Sequence, residues 1–286
     1  MTPTVDLPRL RRRILAWHRR HGLRAPWRES GDPYHALVAA VMAQQTQMSR
    51  VLPAYERFLS RFPSVERLAE SAPADALRAW DGLGYNLRAL RLREAARAVV
   101  ERGGFPRDAG SLAALPGVGP FTAAVIASFA FGAPVPAIDT NVRRVLTRVF
   151  GEPDATPSRV AELAAMALAR SDPARWNQAL MDLGALVCRP RPRCEACPAE
   201  ALCASREAPP PRAPATRGQP PYRRGAKRWY RGAIVRVLRA ADAPMDATAL
   251  ARALGEPRTD GVFAEALAAL ARDGLVARDG AGYRLP

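Results

Sequence analysis

Apolar residues recur at intervals of three and four over most of residues 5 to about 205. That repeat turns one face of an α-helix toward a core. Leu10, Ile14, Leu15 and Trp17 make the first such stripe, and others cover 34–60, 64–80, 86–102, 111–131, 140–150, 157–170 and 173–187. Gly and Pro separate them, as expected where helices stop. Strand-like alternation is nearly absent, so the pattern predicts an all-α domain of many short helices over 1–205. The next stretch, "SREAPPPRAPATRGQPPYRRGAKR", is rich in Pro and Arg and poor in apolar residues. It reads as an extended linker over 206–228. Helical periodicity returns in "WYRGAIVRVLRAA", "MDATALARALG" and "TDGVFAEALAALARDG", and "LVARDGAGYRLP" reads as a two-stranded ribbon turning at Asp279-Gly280. Three helices and a hairpin predict a small winged-helix-like domain over 229–286. Such units bind DNA or only other proteins, and the helix before this wing carries Glu265 and Asp273 among few cations.

Charge sharpens this picture. The chain has 286 residues, is 48% hydrophobic and carries a formal net charge of +16. A core of ordinary size is affordable, and the basic excess points to a polyanion, most simply nucleic acid. The start, "MTPTVDLPRLRRRILAWHRRHG", is charged throughout and lacks the apolar centre of a signal peptide. No membrane span is visible. The expected setting is cytoplasmic, close to the nucleoid, and the four cysteines are not expected to form structural disulfides.

Three motifs carry chemistry. In "LPGVGPFTA", Gly117 and Gly119 join two helices. A Gly-x-Gly turn there lets backbone N–H groups face a phosphate at a helix N-terminus, in the manner of a helix–hairpin–helix gripping DNA. In "PVPAIDTNVRRVL", Asp139 follows a stiff Pro-bounded segment and opens a helix, where Asp is a favoured N-cap. Finally Cys188, Cys194, Cys197 and Cys203 fall within sixteen residues at C-x5-C-x2-C-x5-C spacing, with Arg189, Arg191 and Arg193 alternating with Pro in the first gap. Four clustered thiols predict a metal site, a [4Fe–4S] cluster or less readily zinc, in a loop over 188–203.

Together these motifs resemble the endonuclease III and MutY family of DNA glycosylases, and the MutY branch from about residue 10 to 205. "PWR" at 26–28, "DPY" at 32–34, "QQTQ" at 44–47, "GLGYN" at 82–86, "DTNVRRVL" and "MDLGALVC" at 181–188 all look like MutY counterparts. The resemblance implies a two-lobed HhH-GPD fold carrying a [4Fe–4S] loop, acting as a monomer on double-stranded DNA with a mismatched or damaged base. Asp139 falls on the catalytic aspartate, which stabilises the cationic sugar formed as the glycosidic bond breaks, and Asn141 on its supporting amide. Gln45, flanked by Gln44 and Thr46, falls on the wedge that fills the stack when a base flips out. Gly117 and Gly119 fall on the phosphate-binding hairpin, and the four cysteines on the cluster ligands; apart from the resemblance, the Arg/Pro alternation makes a stiff cationic loop in which Arg191 is suited to a DNA phosphate.

Departures from the MutY pattern shape the expected chemistry. Ala40 stands where MutY carries the glutamate that protonates the leaving adenine; loss of a positioned acid slows such a step roughly 10²–10⁴-fold. Glu29 and Asp32 lie just upstream as possible substitutes. Phe121 stands where the endonuclease III branch has lysine, so no amine can form a Schiff base and no lyase activity is expected. The first cysteine gap is one residue short. Only about eighty residues follow the cysteines, where MutY usually carries a larger domain that inspects 8-oxoguanine. Three readings follow: removal of adenine opposite G or 8-oxoguanine; removal of another base, such as T or U opposite G or an alkylated purine; or lesion binding without catalysis. Trp80, Trp176 and Met181 read as core residues, and His18, His21 and His35 have no ligand spacing.

Overall fold

The computed structural model describes residues 5–206, 223–256, 259 and 261–286. Among the described residues eleven α-helices precede the linker: α1 (Leu7–His21), α2 (Pro33–Ala43), α3 (Met48–Arg61), α4 (Val65–Glu70), α5 (Pro73–Ala79), α6 (Leu87–Glu101), α7 (Ala109–Ala113), α8 (Pro120–Phe131), α9 (Thr140–Val149), α10 (Pro157–Ala167) and α11 (Pro173–Leu186). After it come α12 (Lys227–Ala240), α13 (Ala247–Ala253), α14 (Gly261–Arg272) and a hairpin of β1 (Ala277–Asp279) and β2 (Gly282–Arg284). Most of the linker expected over 206–228 lies outside the described residues. No described helix is long and apolar enough to cross a membrane.

Local chemistry explains where helices begin. Asp6, Ser64, Asp108, Asp139, Thr156, Asp172 and Asp246 each accept a hydrogen bond from a backbone N–H in the first turn they cap, which satisfies a donor the helix cannot. The stripe expected to run through 34–60 is broken: α2 ends at Ala43 and α3 starts at Met48. The interruption is the amide block Gln44–Gln47, where Gln45 takes a left-handed φ of 53°.

The chain divides into two compact units, each drawn from separated segments. The described residues within 5–40, 105–114 and 118–206 form the first. Its core packs Leu10, Ile14 and Trp17 of α1 with Val145 and Leu146 of α9, Leu163 of α10 and Trp176, Leu180 and Leu183 of α11. The described residues within 41–104, 115–117 and 223–286 form the second. There Phe58 meets Trp80 edge-on, with ring centroids 5.9 Å apart, and Leu68, Leu77 and Leu92 are also buried. The C-terminal helices belong to this second unit: α12 packs on α14, α13 and α5, and Tyr230 meets Phe263 edge-on. The ribbon pairs Asp279 with Gly282 around the expected turn, and Met245 exchanges backbone hydrogen bonds with Tyr283 at 2.9 and 2.8 Å.

Candidate functional site

In the first unit Asp139 caps α9, its Oδ1 accepting from Val142 N at 2.7 Å. Its Oδ2 accepts from Asn141 Nδ2 at 2.9 Å. Asn141 is fixed in turn, because its Oδ1 accepts from Arg144 Nη2 at 2.8 Å. Arg144 also donates to the carbonyls of Gly184 and Cys188, both at 2.7 Å. Gly184 is required at this helix crossing: a Cβ there would lie 2.6 Å from Asn141 Cβ. The segment entering Asp139 is pinned by buried Asn177, whose Oδ1 accepts from Ala137 N at 3.0 Å and whose Nδ2 donates to Ser128 Oγ and Val135 O, both at 2.9 Å. Nothing in the sequence singled out Asn177, since an Asn on an apolar helix has no local signature.

Ala40 sits in an apolar cluster with Ala124, Val125 and Ala137, against which Phe121 and Met181 pack. None of these side chains can supply a proton. Asp32 is occupied at the start of α2, its Oδ1 accepting from Tyr34 N at 2.7 Å. Glu29 is exposed at the end of the Pro26–Arg28 turn.

The motifs "PWR" and "MDLGALVC" meet through one ion pair. Arg28 donates to both oxygens of Asp182, at 2.7 and 2.8 Å; the carboxylate also accepts from Leu23 N at 2.8 Å and lies 3.2 Å from His18 Nε2. Asp182 is buried. Burial alone would raise its pKa, but Arg28 and then His18 more than offset that and hold the carboxyl below its ordinary range. His18 therefore belongs to a structural network rather than standing apart.

In the second unit Gln44–Gln47 form a tight turn with Gln45 exposed. Arg88 holds this turn from beneath. Its Nη1 donates to the carbonyls of Val41, Met42 and Gln44 at 2.9, 3.1 and 2.6 Å, and its Nη2 donates to Thr46 Oγ1 at 3.1 Å and to Leu83 O and Gly84 O at 3.2 Å. Burial lowers the Arg88 pKa to about 10. Tyr85 of "GLGYN" and Gln45 are the two non-glycine residues with positive φ among the described ones, at 45° and 53°. Each follows directly on a carbonyl that Arg88 binds. Such conformations cost energy and persist where surrounding contacts impose them, often at functional sites.

Gly117 has a φ of 71° and a Cβ there would lie 2.6 Å from Arg91 Cβ, so the turn demands glycine twice over. Gly119 is the N-cap of α8 and exposed. Arg191 is exposed on the cysteine loop. Its neighbour Arg193 turns back to the carbonyl of Leu186 at 2.7 Å.

The cysteines correct an expectation. Among the described residues no group of three or more His, Cys, Asp or Glu is arranged to hold a metal ion, and all four cysteines are described as free thiols. Neither the [4Fe–4S] cluster nor zinc is supported among the described residues, and the fold is an all-α, two-lobed one with a small β-hairpin. Cys188, Cys194, Cys197 and Cys203 line one pocket with Arg148 and Val187. Their sulfurs engage protein groups instead: Arg148 Nη1 donates to Cys188 Sγ, and Cys203 Sγ donates to Arg148 O, both at 3.4 Å. Burial pushes the Cys197 thiol up to about 12 and raises that of Cys203. The spacing brought the four residues together without making a ligand set.

Comparison with known proteins matches residues 38–170 to the HhH-GPD superfamily of base excision DNA repair proteins. An adenine DNA glycosylase of Mycobacterium tuberculosis is 39% identical over 94% of this chain and 93% of that protein. The Homo sapiens adenine DNA glycosylase is 39% identical over 71% of this chain and 40% of that protein. Among solved structures, a thermostable thymine-DNA glycosylase superposes with a TM-score of 0.67 at 30% identity, covering 70% of this chain and 96% of that one.

Proposed function

This chain belongs to the HhH-GPD superfamily of base excision DNA repair proteins and is closely related to the MutY-type enzymes, and from that premise we propose how it works as an adenine-specific DNA glycosylase. It is a hydrolase that breaks the N-glycosidic bond of adenine in double-stranded DNA, and the mispaired adenine it takes stands opposite G or 8-oxoguanine. The observation that carries the mechanism is the Asp139–Asn141–Arg144 chain, which supplies a carboxylate with both oxygens oriented. As the bond to adenine lengthens, positive charge grows on the sugar, and a fixed carboxylate stabilises it without having to reorganise. Asn141 holds that carboxylate in place. Gln45 fills the stack vacated by the flipped base, while Gln44 and Thr46 shape its turn. Gly117, Gly119 and Arg191 hold phosphates. With Phe121 at the lysine position the enzyme is monofunctional.

One observation favours a second reading of the base. The apolar setting of Ala40 offers the leaving adenine no acid, whereas thymine or uracil leaves more readily without one. The test is single-turnover excision on duplexes carrying A opposite 8-oxoguanine, A opposite G, T opposite G and U opposite G, with alkali to reveal abasic sites. Loss of adenine alone is expected. Loss of T or U alone would move the enzyme to pyrimidine mismatches, and tight binding without any cutting would make it a lesion binder.

A further inference from the structure

Helix α12 reaches from the C-terminal helices to the turn that Arg88 ties to Gln45, all within the second unit. Arg239 is nearly buried, with a side chain 11% exposed. Its Nε donates to Leu77 O at 2.8 Å, its Nη1 to Asp81 Oδ1 at 2.6 Å and its Nη2 to Asn86 Oδ1 at 2.7 Å. One guanidinium thus spans the end of α5 and the far side of the Gly82–Asn86 turn. Arg228, earlier on the same helix, donates to Tyr85 Oη at 2.8 Å and lies 5.2 Å from the centre of its ring. Arg88 lies 5.5 Å from the same ring. Trp80 Nε1 donates to Gly84 O at 3.0 Å, and Arg50 donates to Gly82 O.

We propose that the C-terminal helices are a positioning element for the wedge: Arg239 and Arg228 fix the Gly82–Asn86 turn, and that turn, through Arg88, fixes the left-handed backbone at Gln45. The physical reason is the cost of the two positive-φ residues. Left to themselves both turns would relax toward ordinary geometry. Arg88 cannot prevent this alone, because its guanidinium is anchored only as firmly as the carbonyls on both sides of it. A buried arginine meeting three acceptors at fixed angles gives one side a rigid reference. The C-terminal unit therefore acts on base flipping without any need to touch DNA bases. This rests on the reading of Gln45 as the wedge, and the experiment separates the two.

Arg239→Ala and Arg239→Lys are compared with the parent in the full chain. Lysine keeps the charge and guards against a folding defect, yet cannot meet three acceptors. Amide hydrogen exchange without DNA reads the mechanical link: faster exchange is expected at 82–86 and 44–47 in both variants, with none at α9. A 2-aminopurine beside the target adenine then reads unstacking on binding, and single-turnover kinetics read excision. Both should fall, the rate by roughly tenfold to a hundredfold, as for a misplaced catalytic element, while affinity for undamaged duplex stays level. Gln45→Ala combined with Arg239→Ala should be no worse than Gln45→Ala alone, since coupled residues are non-additive. Unchanged exchange at 44–47, or full additivity in the double variant, would overturn the proposal. Faster exchange with unaltered unstacking would leave the link standing and overturn the wedge reading instead.

Discussion

Asn141 Nδ2 donates to Asp139 Oδ2 at 2.9 Å while Val142 N holds the other carboxylate oxygen at 2.7 Å. Asp139 is the cap of α9, and in the proposed reaction it is also the group that faces the cationic sugar. The two roles separate on substitution, because Asn caps helices about as well as Asp. Asp139→Asn should leave the melting temperature nearly unchanged and slow single-turnover excision by roughly 10²–10³-fold, the scale of losing one oriented electrostatic partner. A thermal melt beside the kinetics checks both halves; a large drop in melting temperature would make the residue chiefly structural.

Ala40→Glu should restore an acid. The cluster of Ala124, Val125 and Ala137 would raise the carboxyl pKa by desolvation, keeping it protonated near neutrality. Adenine excision should then rise by about 10²-fold, the lower end for a positioned acid, at some loss of stability. The single-turnover rate as a function of pH reads this. An unchanged rate would mean that the proton already comes from elsewhere, and would direct attention to Glu29 and Asp32.

Asp182→Asn should destabilise the first unit by about 3–5 kcal/mol, because it leaves Arg28 buried beside a neutral group. The effect is pH-dependent. Asp182 has a folded pKa below its ordinary value of 3.8, so as pH falls the unfolded chain takes up the proton first. The parent's advantage is complete above the ordinary carboxylate range and disappears as pH drops below it. Urea midpoints of both proteins at neutral and acidic pH measure the closing gap.

Phe121 packs into the same apolar cluster as Ala40 and offers no amine. Incubation with substrate DNA and borohydride should therefore trap no covalent complex, and strand breaks should appear only after alkali. A trapped band on a denaturing gel would point to another amine as nucleophile.

Helix positions were legible because burial imposes a period, and the hairpin because Gly117 occupies a φ of 71° that few other residues adopt. The break after α2 was not, since Gln44–Gln47 contain neither Gly nor Pro. Its geometry comes from Arg88, forty-four positions from Gln44. Arg239 and Asn177 escaped notice for the same reason, and Asp182, quoted within "MDLGALVC", gave no sign of its ion pair with Arg28: each acts on groups far along the chain. The cysteines failed in the opposite direction. Their spacing implied proximity, which they have, but ligand geometry depends on where each sulfur points, and spacing does not encode that.

The bond from Arg239 to Leu77 O joins residues 162 positions apart. At a synthesis rate of about 5–20 residues per second, the ribosome needs roughly ten to thirty seconds to make that stretch. During that interval α5 and the Gly82–Asn86 turn exist without their partner helix. Completion of the second unit is therefore a late, high-contact-order event, and a nascent chain stalled in the Pro- and Arg-rich stretch would hold α5 and the Gly82–Asn86 turn without the arginine that ties them together.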